Sequence, residues 1–215
     1  MHHARLSPSY HTRTSRRENS IASWILVAVL VFGLSGCETP PTPTPVYAPI
    51  SFSDHTKIRF AVSTIQVISG YISTGKAPNV EHDFPYSPEQ TLWRWSDERM
   101  RAVGDWGRVV MTIRDASIRR EPLATEGGFI GLFKQDQNER YTATLEVTLA
   151  VEDGNRAGTA TIRVFRSQTF PEGLSLNRRD AARHAFLRLV MEDFNAEAEK
   201  VISRDLGGFL AGDNV

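Results

Sequence analysis

Cysteine is almost missing from this chain. A single one, Cys37, occurs in 215 residues, which excludes an internal disulfide and any CxxC-type zinc or redox framework. Net charge is missing as well, with 25 Lys and Arg against 25 Asp and Glu. The balance is uneven along the chain. Residues 1–20 hold Arg5, Arg13, Arg16 and Arg17 against Glu18 alone, while the remainder carries 21 basic and 24 acidic residues. A mildly acidic body offers no electrostatic footprint for nucleic acid. No GxSxG, GxxxxGK[ST], HExxH or HxH string occurs, and neither "EGGFIG" nor "LGGF" fits a dinucleotide fingerprint. These gaps argue against an enzyme, a nucleotide binder or a metalloprotein, so no cofactor is expected. No repeat period is visible.

What is present begins with "IASWILVAVLVFGL", residues 21–34, an uncharged run of 14 after the basic stretch. As a helix it spans about 21 Å, short of the roughly 20 residues that cross a bilayer. Basic flank, short apolar run and then small residues is the pattern of a secretory signal peptide, against the alternative of a retained membrane helix. Leu34-Ser35-Gly36-Cys37 follows, and it resembles the lipobox of bacterial lipoproteins. That resemblance implies cleavage between Gly36 and Cys37 and diacylglycerol attachment to the Cys37 thiol. Usually it also implies N-acylation of the new terminus. Two or three acyl chains give durable anchoring, at about 0.8 kcal/mol per buried CH2. The n-region is long, and the initiating Met is expected to lie downstream of Met1.

"ETPPTPTPVYAP" comes next, with Pro40, Pro41, Pro43, Pro45 and Pro49 within ten residues. Such a string builds neither ladder nor helix and reads as an extended spacer of about 3.1 Å per residue. The expected organisation is a lipoprotein signal peptide over 1–36, a lipidated Cys and proline-rich linker over 37–50, and a periplasmic domain over 51–215.

Within that domain, "KIRFAVSTIQVIS" (57–69) puts Ile58, Phe60 and Val62 on one parity and Ile65 and Val67 on the other. It reads as one bulged strand or two abutting pieces. Ser87-Pro88-Glu89-Gln90 predicts a helix start with Ser87 as N-cap and Gln90 closing a capping box. The predicted stripe is Leu92, Trp93, Trp95, Met100 and Val103, with Gly104 or Gly107 as the stop. Residues 108–121 read as a strand. "YTATLEVTLAVED" alternates cleanly, with Tyr141, Ala143, Leu145, Val147, Leu149 and Val151 on one face. "DGNR" predicts a turn into a returning strand over 158–170, with Ala160, Ile162 and Val164 inward. A long helix is predicted from about Arg178 to Leu206, with Leu174, Ser175 and Asn177 as staple and cap candidates. Its apolar side takes Ala182, Ala185, Phe186, Leu189, Val190, Phe194, Ala198, Val201 and Ile202.

The order β-α-β-β-β-α predicts an α+β fold: a four-stranded mixed sheet with two helices on one face. On a lipidated tether, this order is similar to the fold of the lipopolysaccharide-assembly lipoprotein LptE and of ABC-transporter auxiliary lipoproteins. It is similar too to uncharacterised envelope lipoproteins of Gram-negative bacteria. The similarity lies in element order and anchoring and transfers no functional residue.

Candidate functional residues are few. Glu81-His82-Asp83 is either a base with its orienting carboxylates, a pair of metal ligands, or a set of turn residues; the last is favoured because no further ligands accompany it. Phe129, Ile130, Leu132 and Phe133 sit in the connection 123–139, where they either contact a partner or cover an end of the sandwich. Trp93 and Trp95 lie two apart, so at most one points into the core. Arg114, Arg119, Arg120, Arg163 and Arg166 form either a stripe for anionic lipid or lipopolysaccharide phosphate or an ordinary solvated face balanced by Glu146. The expected role is a noncatalytic accessory lipoprotein, held to the membrane by its lipid anchor and docked on a larger envelope protein complex. The alternative is a carrier of lipid or another amphiphile, in a cavity between helices and sheet. In enteric lipoproteins, which this end of the chain resembles, Asp after the lipidated Cys is an inner-membrane retention signal. Glu38 holds that place here, and the resemblance implies an outer-membrane position facing the periplasm.

Overall fold

The structure is a computed structural model that describes residues 46–123 and 138–212. Among the described residues, six strands and two helices run in the order β1 (Ile58–Phe60), β2 (Thr64–Ser69), α1 (Pro88–Arg99), β3 (Met100–Ala102), β4 (Arg108–Leu123), β5 (Asn138–Asp153), β6 (Arg156–Pro171) and α2 (Leu176–Leu206). Single 3-10 turns occupy Glu81–Asp83 and Gly207–Phe209.

The main sheet has the order β2-β4-β5-β6, with β2 parallel to β4 and the last three strands an antiparallel meander. The predicted α+β architecture is therefore present: a four-stranded mixed sheet and two helices. α2 packs on β6 and β5, and α1 packs on β4 and touches α2. The alternation in β5 sets the core side. Tyr141, Ala143, Leu145, Val147, Leu149 and Val151 are all buried, as are Ala160, Ile162 and Val164 of β6. At the β5–β6 turn, Gly154 takes a φ of +58°, which L side chains adopt at a cost. Asp153 and Arg156 pair directly across it.

Two expectations change. The 57–69 segment is two pieces, as the second alternative had it, but they lie in different sheets. β1 leaves the main sheet and pairs in parallel with β3, and only β2 joins β4. The change of parity in the sequence is the physical trace of this switch. Phe60 and Val62 are fully buried, whereas Ile65 and Val67 are half-buried on the helix-covered side of β2. β3 itself was expected as the end of a helix. α1 stops at Arg99, and Met100 is already extended at φ −99° and ψ 140°. Pairing with β1 draws residues 100–102 out of the helix, leaving Val103 exposed.

The helix starts follow the sequence closely. Ser87 accepts from the Gln90 N–H at 3.1 Å, and the Gln90 side chain accepts from the Ser87 N–H at 3.3 Å. Both halves of the capping box are thus made. α2 begins two residues earlier than predicted. Ser175 holds the N-cap position without a side-chain hydrogen bond, and Asn177 lies inside the helix. Its buried face is also rotated from the predicted stripe. Ala185 is exposed and Leu189 half-buried, while Leu187 and Met191 are buried beside Phe186, Val190, Phe194, Ala198, Val201 and Ile202. Two polar residues, Arg183 and Asn195, share that face.

Candidate functional site

Glu81-His82-Asp83 forms the 3-10 turn before α1, and the structure gives its carboxylates structural partners. Segment 78–80 runs beside β4, with the Val80 N–H donating to the Ile118 carbonyl at 2.8 Å and the Arg120 N–H to the Pro78 carbonyl at 2.8 Å. This places Glu81 inside, 2 % exposed. Its Oε1 accepts from the Tyr71 hydroxyl at 2.6 Å and from the Ser73 hydroxyl. Burial alone would raise its pKa. The Ser73 and Tyr71 hydroxyls outweigh burial, with help from nearby backbone amides of Glu81 and Ile118, and hold the carboxyl below its ordinary value. Those amides do not reach Oε2, which has no hydrogen-bond partner. Burial and the Glu81 carboxylate push Tyr71 well above the usual phenol range.

Asp83 turns the other way. Its carbonyl and its carboxylate accept from the buried Arg183 of α2 at 2.9 and 3.3 Å. That guanidinium also lies over the rings of Phe84 and Tyr141, at 5.8 and 6.0 Å. His82 stays near the surface, 3.4 Å from Asp83. Glu81 thus points away from the other two, and only His82 and Asp83 come together. Among the described residues no group of three or more His, Cys, Asp or Glu side chains is placed to hold a metal. His184 lies at the margin of α2, stacked on Tyr47 at 5.1 Å, with Nε2 at 2.9 Å from the Ala48 carbonyl. Residues 47–50 therefore rest against the domain, with Tyr86 donating to the Tyr47 carbonyl at 3.0 Å and Ile50 buried.

The arginine stripe is divided between the two sides of the sheet. Arg120 pairs with Glu139 at 3.6 Å and Arg166 with Asp193 of α2 at 2.6 Å. On the uncovered face, Arg163 forks onto both carboxylate oxygens of Glu146, at 3.0 and 3.2 Å. Arg119 stands 4.0 Å from Glu121. β4 carries a bulge between Ile113 and Asp115, so Arg114 is an inserted residue outside the β5 register. Of the two alternatives, the continuous stripe is not formed, because the bulge and the alternation of strand side chains separate its members. Trp95 is fully buried and donates to Asn195 Oδ1 at 2.9 Å, whereas Trp93 is half-exposed.

Sequence reading foresaw a solvated sheet face but not the depression on it. Between β4, β5 and β6 lies a shallow depression of about 640 Å³ lined by Arg119, Glu121, Arg140, Thr142, Thr144, Phe165 and Ser167. Phe165 is 71 % exposed. Its sequence signal was parity: an aromatic residue at a position where β6 otherwise alternates polar residues outward. The helix-covered side is filled, with Met111, Ile113, Leu145, Val147, Phe186, Val190 and Phe194 fully buried against one another.

Cys37, Phe129, Ile130, Leu132 and Phe133 lie outside the described residues. Among the described residues no helix is long and apolar enough to cross a membrane.

No protein-family model matches the chain, and no curated protein matches it by sequence. Several solved structures resemble it, among them two bacterial proteins. One is a minor lipoprotein from Acinetobacter baumannii, at 10% identity and a TM-score of 0.36, over 66% of this chain and 92% of that one. The other is the rare lipoprotein B from Shewanella oneidensis, at 12% identity and a TM-score of 0.32, over 66% of this chain and 96% of that one. Both similar structures are bacterial lipoproteins by name.

Proposed function

We propose that this chain is a noncatalytic accessory lipoprotein of the bacterial cell envelope, anchored through Cys37 and acting by docking its folded domain on a larger envelope protein complex. The observation that carries this reading is the succession of a 14-residue uncharged run, Leu34-Ser35-Gly36-Cys37 and a proline-rich string. Each piece has a physical task in anchoring: insertion, acylation and reach. The noncatalytic part rests on the absent catalytic motifs. It is supported by Glu81-His82-Asp83, whose carboxylates are committed to Tyr71, Ser73 and Arg183. We place the protein at the outer membrane, facing the periplasm.

Cys37→Ser tests the anchor. Acyl labelling should vanish and an uncleaved precursor should accumulate, readable as a mass increase by intact-protein mass spectrometry. A mutant that is processed and membrane-bound like the parent would overturn the reading.

A second reading is favoured by the depression on the uncovered sheet face. Arg119 and Arg140, which outnumber Glu121 there, the hydroxyls of Thr142, Thr144 and Ser167, and the Phe165 ring together suit an anionic amphiphile such as lipid or lipopolysaccharide. This differs from the expected cavity between helices and sheet, since buried side chains fill that space.

A further inference from the structure

β6 is an edge strand of unusual length. It pairs with β5 without interruption through all 16 residues from Arg156 to Pro171, with no bulge. The opposite edge of the sheet is only the six residues of β2. Along its outer side, no described backbone group hydrogen-bonds to the amides or carbonyls of residues 157–170. Long edges are ordinarily blunted by Pro, charged side chains such as Lys, bulges or inward-pointing charges. β6 has its proline only at the last position and contains no lysine. Its two central charges are already neutralised inside the chain, Arg163 by Glu146 and Arg166 by Asp193.

The side chains favour one particular occupant. Phe165, the exposed aromatic, stands near the middle of the strand. We propose that β6 pairs antiparallel with β6 of a second copy of this chain, about a two-fold axis at Phe165, joining the two sheets into one of eight strands. Under that symmetry Phe165 meets the second copy's Phe165, burying the one large apolar group exposed on this strand. Arg163 then faces the second copy's Ser167, Thr161 faces Thr169, and Val164 faces Arg166. No arginine is set directly opposite another, and the two Arg163 residues are about 14 Å apart along the strands. The register is therefore self-complementary in charge. Closure about a two-fold leaves β2 and its symmetry mate as the only edges of the joined main sheet, and both are short.

Cysteine crosslinking in the full chain tests this, with an added oxidant and the parent chain as control. Phe165→Cys should give a disulfide-linked dimer of twice the chain's mass on a non-reducing gel. Thr161→Cys alone should not, because its symmetry mate lies about 27 Å away along the strands. Thr161→Cys and Thr169→Cys co-expressed should restore the crosslink. Light scattering of the detergent-solubilised parent should report a dimer, converted to monomer by Phe165→Asp. Equal crosslinking at positions 161 and 165, or none at 165 in a chain that still unfolds cooperatively, would overturn the pairing. A monomeric parent at all concentrations would do the same. Acylation blocks the Cys37 thiol. Each crosslink is therefore read in the Cys37→Ser chain as well, so that the native thiol cannot contribute and a failure of the anchoring reading is distinguished from a failure of the pairing.

Discussion

Glu81 has almost no access to water, yet the hydroxyls of Tyr71 and Ser73 keep it ionised. Its carboxyl is held below the ordinary value, so the sign of its pH effect follows. A lowered folded-state pKa contributes stability above the unfolded value, and that contribution is lost as pH falls through the folded one. Glu81→Gln should therefore destabilise the domain at neutral pH, by about 1–3 kcal/mol. The gap to the parent should close below the ordinary carboxylate range. Urea denaturation of both proteins at a series of pH values measures this; a gap that widens in acid would refute the assignment. The sequence placed Glu81 in a turn, correctly, but could not show that it is buried. Its burial depends on segment 78–80 running beside β4, a contact between residues about 40 positions apart.

Between elements, a polar cluster fastens α1 to α2 inside the core. Asn195 Oδ1 accepts from Trp95 Nε1 and from Arg99 Nε, both at 2.9 Å. Arg99, 1 % exposed, also reaches the Thr56 carbonyl and Glu199. Burial lowers its pKa, and the carboxylates of Glu199 and Asp54 oppose that shift. Leu at position 195 would keep the volume and remove the acceptor, orphaning two buried N–H groups. Asn195→Leu should cost about 2–4 kcal/mol, read as a lower urea midpoint at unchanged slope. A cost within experimental error would show that the helices are joined by apolar packing alone. Periodicity revealed both helices but not this cluster, because Arg99 and Asn195 look like ordinary solvent-facing residues until the helices meet. For the same reason α1 was read too long. Nothing local distinguishes Met100 from a helical residue; its β1 partner does.

At the scale of the whole molecule, the proposed role requires a surface that binds a partner while the fold stays intact. Phe129 and Phe133 are the residues to change, as four large apolar groups stand close together in their segment. Phe129→Asp combined with Phe133→Asp should abolish recovery of crosslinked envelope partners from intact cells. The melting transition should stay cooperative and within a few degrees of the parent. Unchanged partners would move the docking surface elsewhere. A large drop in melting temperature would mean that these side chains cover the sandwich.

The sequence by itself determined the elements whose cause is local. Alternation in β5 and β6, the capping box at Ser87, the glycine turn at 154 and the lipobox-like run ending at Cys37 are each written within a dozen residues. Backbone geometry acts over that range, so a pattern of period two or a cap with its partner three residues on is enough. Only the tertiary structure decided what depends on distant segments meeting. It moved β1 into a second sheet with β3, buried Glu81, Arg99 and Arg183 and gave them partners, divided the arginines between two faces, and left β6 with Phe165 at an open edge. Those outcomes rest on long-range contacts and on the cost of burying polar groups unpaired. Neither can be read from a local pattern.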